Sequence, residues 1–164
     1  MIVGVEVSEW MGLNGTVCAT LLEQIRWPRG LRCTRCRNGN VERLRATRPT
    51  SSTRVSYRCT DCEIEYKVVG GTPFEPANIP ISKWFAATAL SCFEGGHVSA
   101  KRLQRELKVG AMSARIMAEG IRCALAADPD FCWQVAGACS EMVHGKSVSK
   151  RRAEAWAPRF DDQL

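Results

Sequence analysis

The chain has 164 residues, 45% of them apolar and 24% charged, which is enough for one domain or two small ones and fits a soluble globular protein. Its longest apolar run falls far short of a membrane span, and its N-terminus lacks the basic, apolar and small-residue order of a secretory signal, so neither a membrane protein nor an exported one is expected. The net charge of +6 is unevenly placed: residues 26–58 hold ten arginines against one acid, Glu42, a local +9 that leaves −3 for the rest.

Such a segment asks for a polyanionic partner, and nucleic acid is the expected one. The plainer alternative is a solvated loop that keeps the protein soluble. In chain order, residues 1–29 form an N-terminal segment whose stretch Val17–Arg26 reads as a helix ending at Trp27-Pro28 and packing on the ribbon that comes next in the chain.

Residues 30–75 read as that zinc ribbon. Cys33-Thr34-Arg35-Cys36 and Cys59-Thr60-Asp61-Cys62 are two C-x-x-C pairs separated by 22 residues. Each pair turns tightly enough to aim two thiolates at one ion, and zinc takes four such ligands in a tetrahedron. Cys33, Cys36, Cys59 and Cys62 therefore predict one structural Zn²⁺ with no open coordination position. Redox C-x-x-C motifs come singly at a helix start, whereas Arg37-Asn38-Gly39 after the first pair is turn chemistry. The nine cysteines are odd in number and the chain shows no export signal, so a disulfide framework is not expected. Cys18, Cys92, Cys123, Cys132 and Cys139 lack ligand spacing, and Cys92 and Cys123 fall on apolar helical faces that suit a core. Partial two-residue alternation places strands over 41–46, 55–58 and 64–68, with an exposed loop tip at 48–54.

Gly70 to Pro80 is rich in turn residues and links the ribbon to residues 80–128, which read as helical. A helix capped by Ser82 buries the face of Trp84, Phe85, Thr88, Ala89, Cys92 and Phe93 and stops at Gly95-Gly96. A short helix from Ser99 to Leu107 comes next, then the turn Lys108-Val109-Gly110. A longer helix over 111–126 places Met117, Ile121 and Leu125 on one stripe. Short helix, three-residue turn and longer helix form a helix-turn-helix pattern, although an ordinary helical hairpin shares it. Asp128-Pro129 ends the last helix, and residues 129–164 read as a poorly structured tail. The fold class is therefore α+β, a ribbon of short antiparallel strands followed by a helical module.

These elements in this order resemble the N-terminal region of zinc-ribbon transposases of the insertion-sequence fifteen-ninety-five group. The resemblance rests on Ile25-Arg26-Trp27-Pro28, the two cysteine pairs, Gly71-Thr72, Phe74-Glu75 and Pro80 to Phe85, and covers about residues 15–125. It implies that ribbon and helix-turn-helix bind double-stranded DNA at transposon ends. It also implies a further domain in which three acidic residues hold two metal ions for strand transfer. Matching Val143 to Lys146 to the Gly-rich lysine motif of that domain puts Cys139 where its first catalytic Asp belongs. Two-metal chemistry needs several carboxylates converging on ions about 4 Å apart. The residues after 128 are too few to supply them, so no strand-transfer activity is expected.

The expected function is DNA binding by a transposase-derived protein of the bacterial cytoplasm and nucleoid, acting as a regulator or as a competitor at transposon ends. Self-association or pairing with a full-length transposase would be its protein contacts. Phosphate contacts fall to Arg35, Arg48 and Arg54 of the ribbon, and Lys101, Arg102 and Arg105 of the first helix of the pair are further DNA-binding candidates. Met112, Ser113, Arg115 and Ile116, near the start of the second, are the candidates for base edges. Two alternatives stand beside this reading. One is a zinc-ribbon module for protein interaction, because Ala111, Met112 and Ala114 suit an apolar partner. The other is a decayed transposase remnant.

Overall fold

A computed structural model describes residues 7–44, 55–75 and 78–144. Its elements are α1 (Val7–Met11), α2 (Gly15–Arg26), β1 (Val41–Leu44), β2 (Ser56–Cys59), β3 (Glu65–Lys67), α3 (Ile81–Phe93), α4 (Ala100–Leu107), α5 (Ala111–Ala127) and α6 (Pro129–His144). The fold is α+β, with one three-stranded antiparallel sheet in the order β1-β2-β3 and a helical body built around α3. No helix among the described residues is long and apolar enough to cross a membrane.

The α2 helix begins two residues before the Val17 start read from sequence. Asn14 caps it, its side-chain oxygen accepting from Thr16 N–H at 2.8 Å and Val17 N–H at 3.4 Å. Cys18, Ala19 and Leu22 turn inward, and the helix stops at Trp27-Pro28 as expected. In the sheet, Val41 pairs with Cys59 and Leu44 with Ser56, while Tyr57 pairs with Tyr66. Tyr57 and Cys59 are buried and Arg58 between them is exposed, the alternation of a half-buried strand. The expected loop tip at 48–54 and the end of the first expected strand lie outside the described residues.

The link after β3 is a tight turn with one side chain driven inward. Gly71 has φ +72°, a conformation that favours glycine, and its N–H donates to Glu75 Oε2 at 2.7 Å. Thr72 Oγ1 donates to Val69 O at 2.6 Å and accepts from Phe74 N–H at 3.2 Å. Phe74 is thereby aimed into the helical body, where it stacks on Trp84 at 5.2 Å and meets Phe131 at 5.6 Å.

Four helical readings need correction. The α3 helix starts at Ile81 after Pro80, with no side-chain cap, so Ser82 is not its cap. It is buried on every side from Trp84 to Cys92 and not on one face, because α1, α2, α4, α5 and α6 all pack against it. Its two buried hydroxyls are satisfied within the helix, Thr88 donating to Trp84 O and Ser91 to Ala87 O. On α5 the inward stripe is Ala114, Met117, Ile121 and Ala124; Leu125 is only half-buried and Cys123 is exposed, so Cys123 is not a core residue.

The largest correction is α6. Residues 129–144 are not a poorly structured tail but a helix packed along α3. Asp128 ends α5 and caps α6, its Oδ1 accepting from Phe131 N–H at 3.0 Å, and Pro129 takes the first helical position. Cys132, Val135, Ala136 and Cys139 form its buried stripe. The short helix α1, also absent from the sequence reading, is held by Trp10, buried 5.9 Å from Phe93.

Phe74 anchors the link to both α3 and α6, so its removal should leave a cavity between three elements. Phe74→Ala is expected to cost about 3–5 kcal/mol in denaturant unfolding of the helical body. Zinc content should be unchanged, since no metal ligand touches that cavity.

Candidate metal centre and nucleic-acid interface

The two cysteine pairs adopt the same local geometry. In the first, Cys33 Sγ accepts from the N–H groups of Arg35 at 3.3 Å and Cys36 at 3.4 Å. Arg37 then takes a left-handed φ of 61°, and its N–H returns to Cys33 O at 3.0 Å. In the second, Glu63 takes φ 59° and its N–H returns to Cys59 O at 2.9 Å. Each turn thus reverses the chain at the fourth residue after its first cysteine and leaves two sulfurs facing out of the turn.

The turns face each other. Cys33 Sγ lies 3.5 Å from Cys62 Sγ, Cys36 Sγ lies 3.5 Å from Cys59 Sγ, and all four sulfurs fall within 4.8 Å of one another. Four sulfurs at a zinc–sulfur distance of about 2.3 Å have edges of about 3.8 Å. The residues therefore fit one structural zinc ion with every position filled by sulfur. Cys33 and Cys59 are buried and Cys36 and Cys62 half-buried, so the site is closed.

Electrostatics favours the same conclusion. Burial works against ionisation of Cys33, but the N–H groups of Cys36 and Arg35 outweigh it and bring its pKa down to about 6. The Asn38 backbone acts to lower Cys36, yet burial and the neighbouring Cys59, Cys33 and Cys62 sulfurs push it up to about 12. Cys62 is raised as well, the neighbouring Cys33 and Cys59 and its burial outweighing the Ile64 backbone. One thiol gives up its proton readily and its neighbours then resist, so four thiolates need a cation among them.

The ribbon is tied to α2 by a small polar and aromatic cluster that sequence reasoning missed. Glu23 accepts from both Tyr57 Oη and Arg43. Burial, then Glu23, keeps the Tyr57 phenol protonated as a donor. Trp27 packs edge-on against Tyr57 at 5.6 Å and Tyr66 at 6.1 Å, and Tyr66 Oη donates to Arg32 O at 3.0 Å. Arg26 lies over the Trp27 ring at 4.5 Å and donates to Val68 O at 2.5 Å. The sequence held one signal for this, in Ile25-Arg26-Trp27-Pro28 immediately before the first cysteine pair; the Glu23–Tyr57 contact spans 34 positions and left none.

The arginines divide into two groups. Arg29, Arg32, Arg35 and Arg37 are exposed around the first cysteine turn and pair with no carboxylate among the described residues. Arg58 is exposed on β2 between Glu42 and Glu65 in the sheet register. On the helices, Arg102 pairs with Glu94, Arg105 with Glu106 at 2.8 Å and Arg122 with Glu119 at 2.5 Å. Lys101 and Arg115 are exposed and pair with no acid among the described residues. Met112 is exposed, and Ser113 and Ile116 are half-buried. Arg115 and Arg122, with His97 and Ser99, line a groove of about 600 Å³ between α5 and the loop before α4. Arg48 and Arg54 lie outside the described residues. Cys139 is buried on α6 and its thiol is held protonated by burial, then by nearby Cys18.

Comparison with known proteins agrees with the metal centre. Residues 13–64 match the model of the transposase zinc-ribbon domain. Over 69 residues, 42% of this chain, the sequence is 38% identical to a protein from Halobacterium salinarum named "Uncharacterized protein in transposable element ISH50". The chain spans 22% of that relative's length. No solved structure matches. The resemblance read from the sequence is therefore to the zinc-ribbon region of transposase-like insertion-element proteins, and the ribbon residues carry it.

Metal analysis of purified protein should find close to one zinc per chain, and Cys59→Ser should lose it with the ribbon's near-ultraviolet signal from Tyr57 and Trp27. Zinc affinity should fall as pH drops, because protons compete with the metal for the thiolates. A fully ordered ribbon under chelator at neutral pH would contradict the assignment.

Proposed function

We propose that this protein binds double-stranded DNA, with the ribbon holding phosphates and the N-terminal part of α5 reaching base edges. The observation that carries the reading is the run of exposed arginines, Arg29, Arg32, Arg35 and Arg37, on a zinc turn with no carboxylate partner among the described residues. A guanidinium without a carboxylate partner is free to replace the condensed counterions of a duplex. The match of residues 13–64 to a transposase zinc-ribbon domain supports a nucleic-acid partner. The α4–α5 pair contributes Lys101 and Arg115, whereas Arg102 and Arg105 would first have to leave Glu94 and Glu106. The division supports the ribbon as the main electrostatic contact and α5 as the sequence-reading element.

Within this reading the protein does not transfer strands. Cys139 occupies the place where the resemblance puts a catalytic Asp, and it lies in the core of a helix pair. The protein then acts at transposon ends as a regulator or competitor in the bacterial nucleoid, alone, with a second copy or with a full-length transposase. A protein-interaction module is the second reading, favoured by the exposed Met112 on α5.

Affinity measured against salt distinguishes them. The logarithm of affinity for a duplex should fall with the logarithm of salt, with a slope of about −0.9 per phosphate contact. Arg35→Ala should weaken all sequences alike and flatten the slope by about one contact, whereas Arg105→Ala should change it much less. The same duplexes should stay uncut with Mg²⁺ or Mn²⁺ present. Absence of duplex binding by zinc-loaded protein at low salt would favour the interaction module, and metal-dependent nicking that persists through repurification would overturn the non-catalytic reading.

A further inference from the structure

The turn between α4 and α5 leads into an exposed apolar side chain. Met112 is 68% exposed, one of two large exposed hydrophobics among the described residues, the other being Val17 on α2. The helix around it is two-faced: Ala114 and Met117 are buried, whereas Ala111, Met112 and Arg115 are exposed. Met112 and Arg115 are three residues apart, so on a helix their Cβ atoms are neighbours at about 5–6 Å.

The chain on either side of Met112 is cationic: between Glu106 and Glu119 it carries Lys108 and Arg115 and no acid. Lys83 of α3 reaches the same end of the molecule, its Nζ donating to Lys108 O at 3.2 Å. An apolar protein partner seated here would have to take those cations out of water without replacing their hydration. The major groove of a duplex makes no such demand. Its phosphates meet the cations, and its base edges include one apolar group, the 5-methyl of thymine.

The geometry points to Met112 as a specificity-determining residue that packs on a thymine 5-methyl group, with Arg115 one turn on reading the O6/N7 edge of a guanine in a neighbouring pair. This assignment rests on the DNA-binding function proposed for the chain and adds the chemistry of the base it selects. Met112 contributes no hydrogen bond, so its preference depends on one carbon of the base. Arg115 contributes a forked donor pair, so its preference depends on guanine's two acceptors. The two contributions are separable by chemistry of the DNA alone.

The test uses full-length, zinc-loaded protein and two random-sequence duplex pools, one made with thymine and one with uracil, which lacks only the methyl group. Selection from the thymine pool should enrich a thymine close to a guanine. Changing that thymine to uracil in the selected duplex should weaken binding about fourfold, the worth of one buried carbon group. Met112→Ala should bind the two forms equally while keeping its guanine preference and its zinc, and Arg115→Ala should lose the guanine preference alone. Equal binding of thymine and uracil forms by the unaltered protein would overturn the assignment and leave the DNA-binding reading standing. Loss of self-association in Met112→Ala, with the thymine-to-uracil ratio unchanged, would overturn it in favour of a protein contact. No duplex binding at low salt would overturn both.

Discussion

Four thiol groups within 4.8 Å of one another cannot all ionise side by side unless a cation sits among them, and the ribbon is built on that constraint. Its own apolar content is small, with Tyr57 and Val68 as its large fully buried side chains and Trp27 and Tyr66 packed against them. Among the described residues its strands are three or four residues long, the short end of the usual range. The metal joins the ends of β2 and the first turn through bonds worth about 10–16 kcal/mol in small zinc modules. That is enough to order strands which could not order themselves.

From the metal outward, order passes to the helical body through few contacts. Among the described residues no strand backbone packs closely on a helix; the link is made by side chains at the end of α2 and by the turn carrying Phe74. Glu23 is central because it accepts from Tyr57 on β2 and Arg43 on β1 at once. The arrangement fixes the ribbon's orientation on α2 while leaving its arginine-bearing turn exposed. At the other end, Gly120 lets α5 approach the link closely: a Cβ there would lie 3.3 Å from Pro73 O and 3.5 Å from the Trp84 ring.

The metal site was legible in the sequence because its signal is local: two short spacings, each set by the geometry of one turn. The paired helices α4 and α5 were legible for a similar reason, since Ser99 caps the first and Lys108 takes the left-handed φ of 49° that reverses the chain. What failed was long-range. The full burial of α3 depends on five helices arriving around it, which no periodicity in thirteen residues encodes. The pairing of Arg102 with Glu94 closes across a loop, so of the three cations expected on DNA from α4 only Lys101 pairs with no acid among the described residues. The α6 helix is different, because the signals that start it are also those that stop α5. Asp128, Pro129 and Asp130 are a cap, a first-turn proline and a first-turn acid, and Cys132, Val135, Ala136 and Cys139 recur at helical spacing.

The parts define a consistent division of labour: zinc orders the ribbon, the ribbon offers unpaired arginines, and the helical body supports α5. Under the proposed DNA-binding function, metal and polyanion binding are linked through the ribbon. The direct measurement is duplex affinity at low salt for the full chain before chelation, after it, and after zinc is restored, with helical circular dichroism followed throughout. Chelation should abolish tight binding while most helical signal from α3 to α6 persists, and zinc should restore it. Undiminished affinity in the metal-free protein would contradict that linkage.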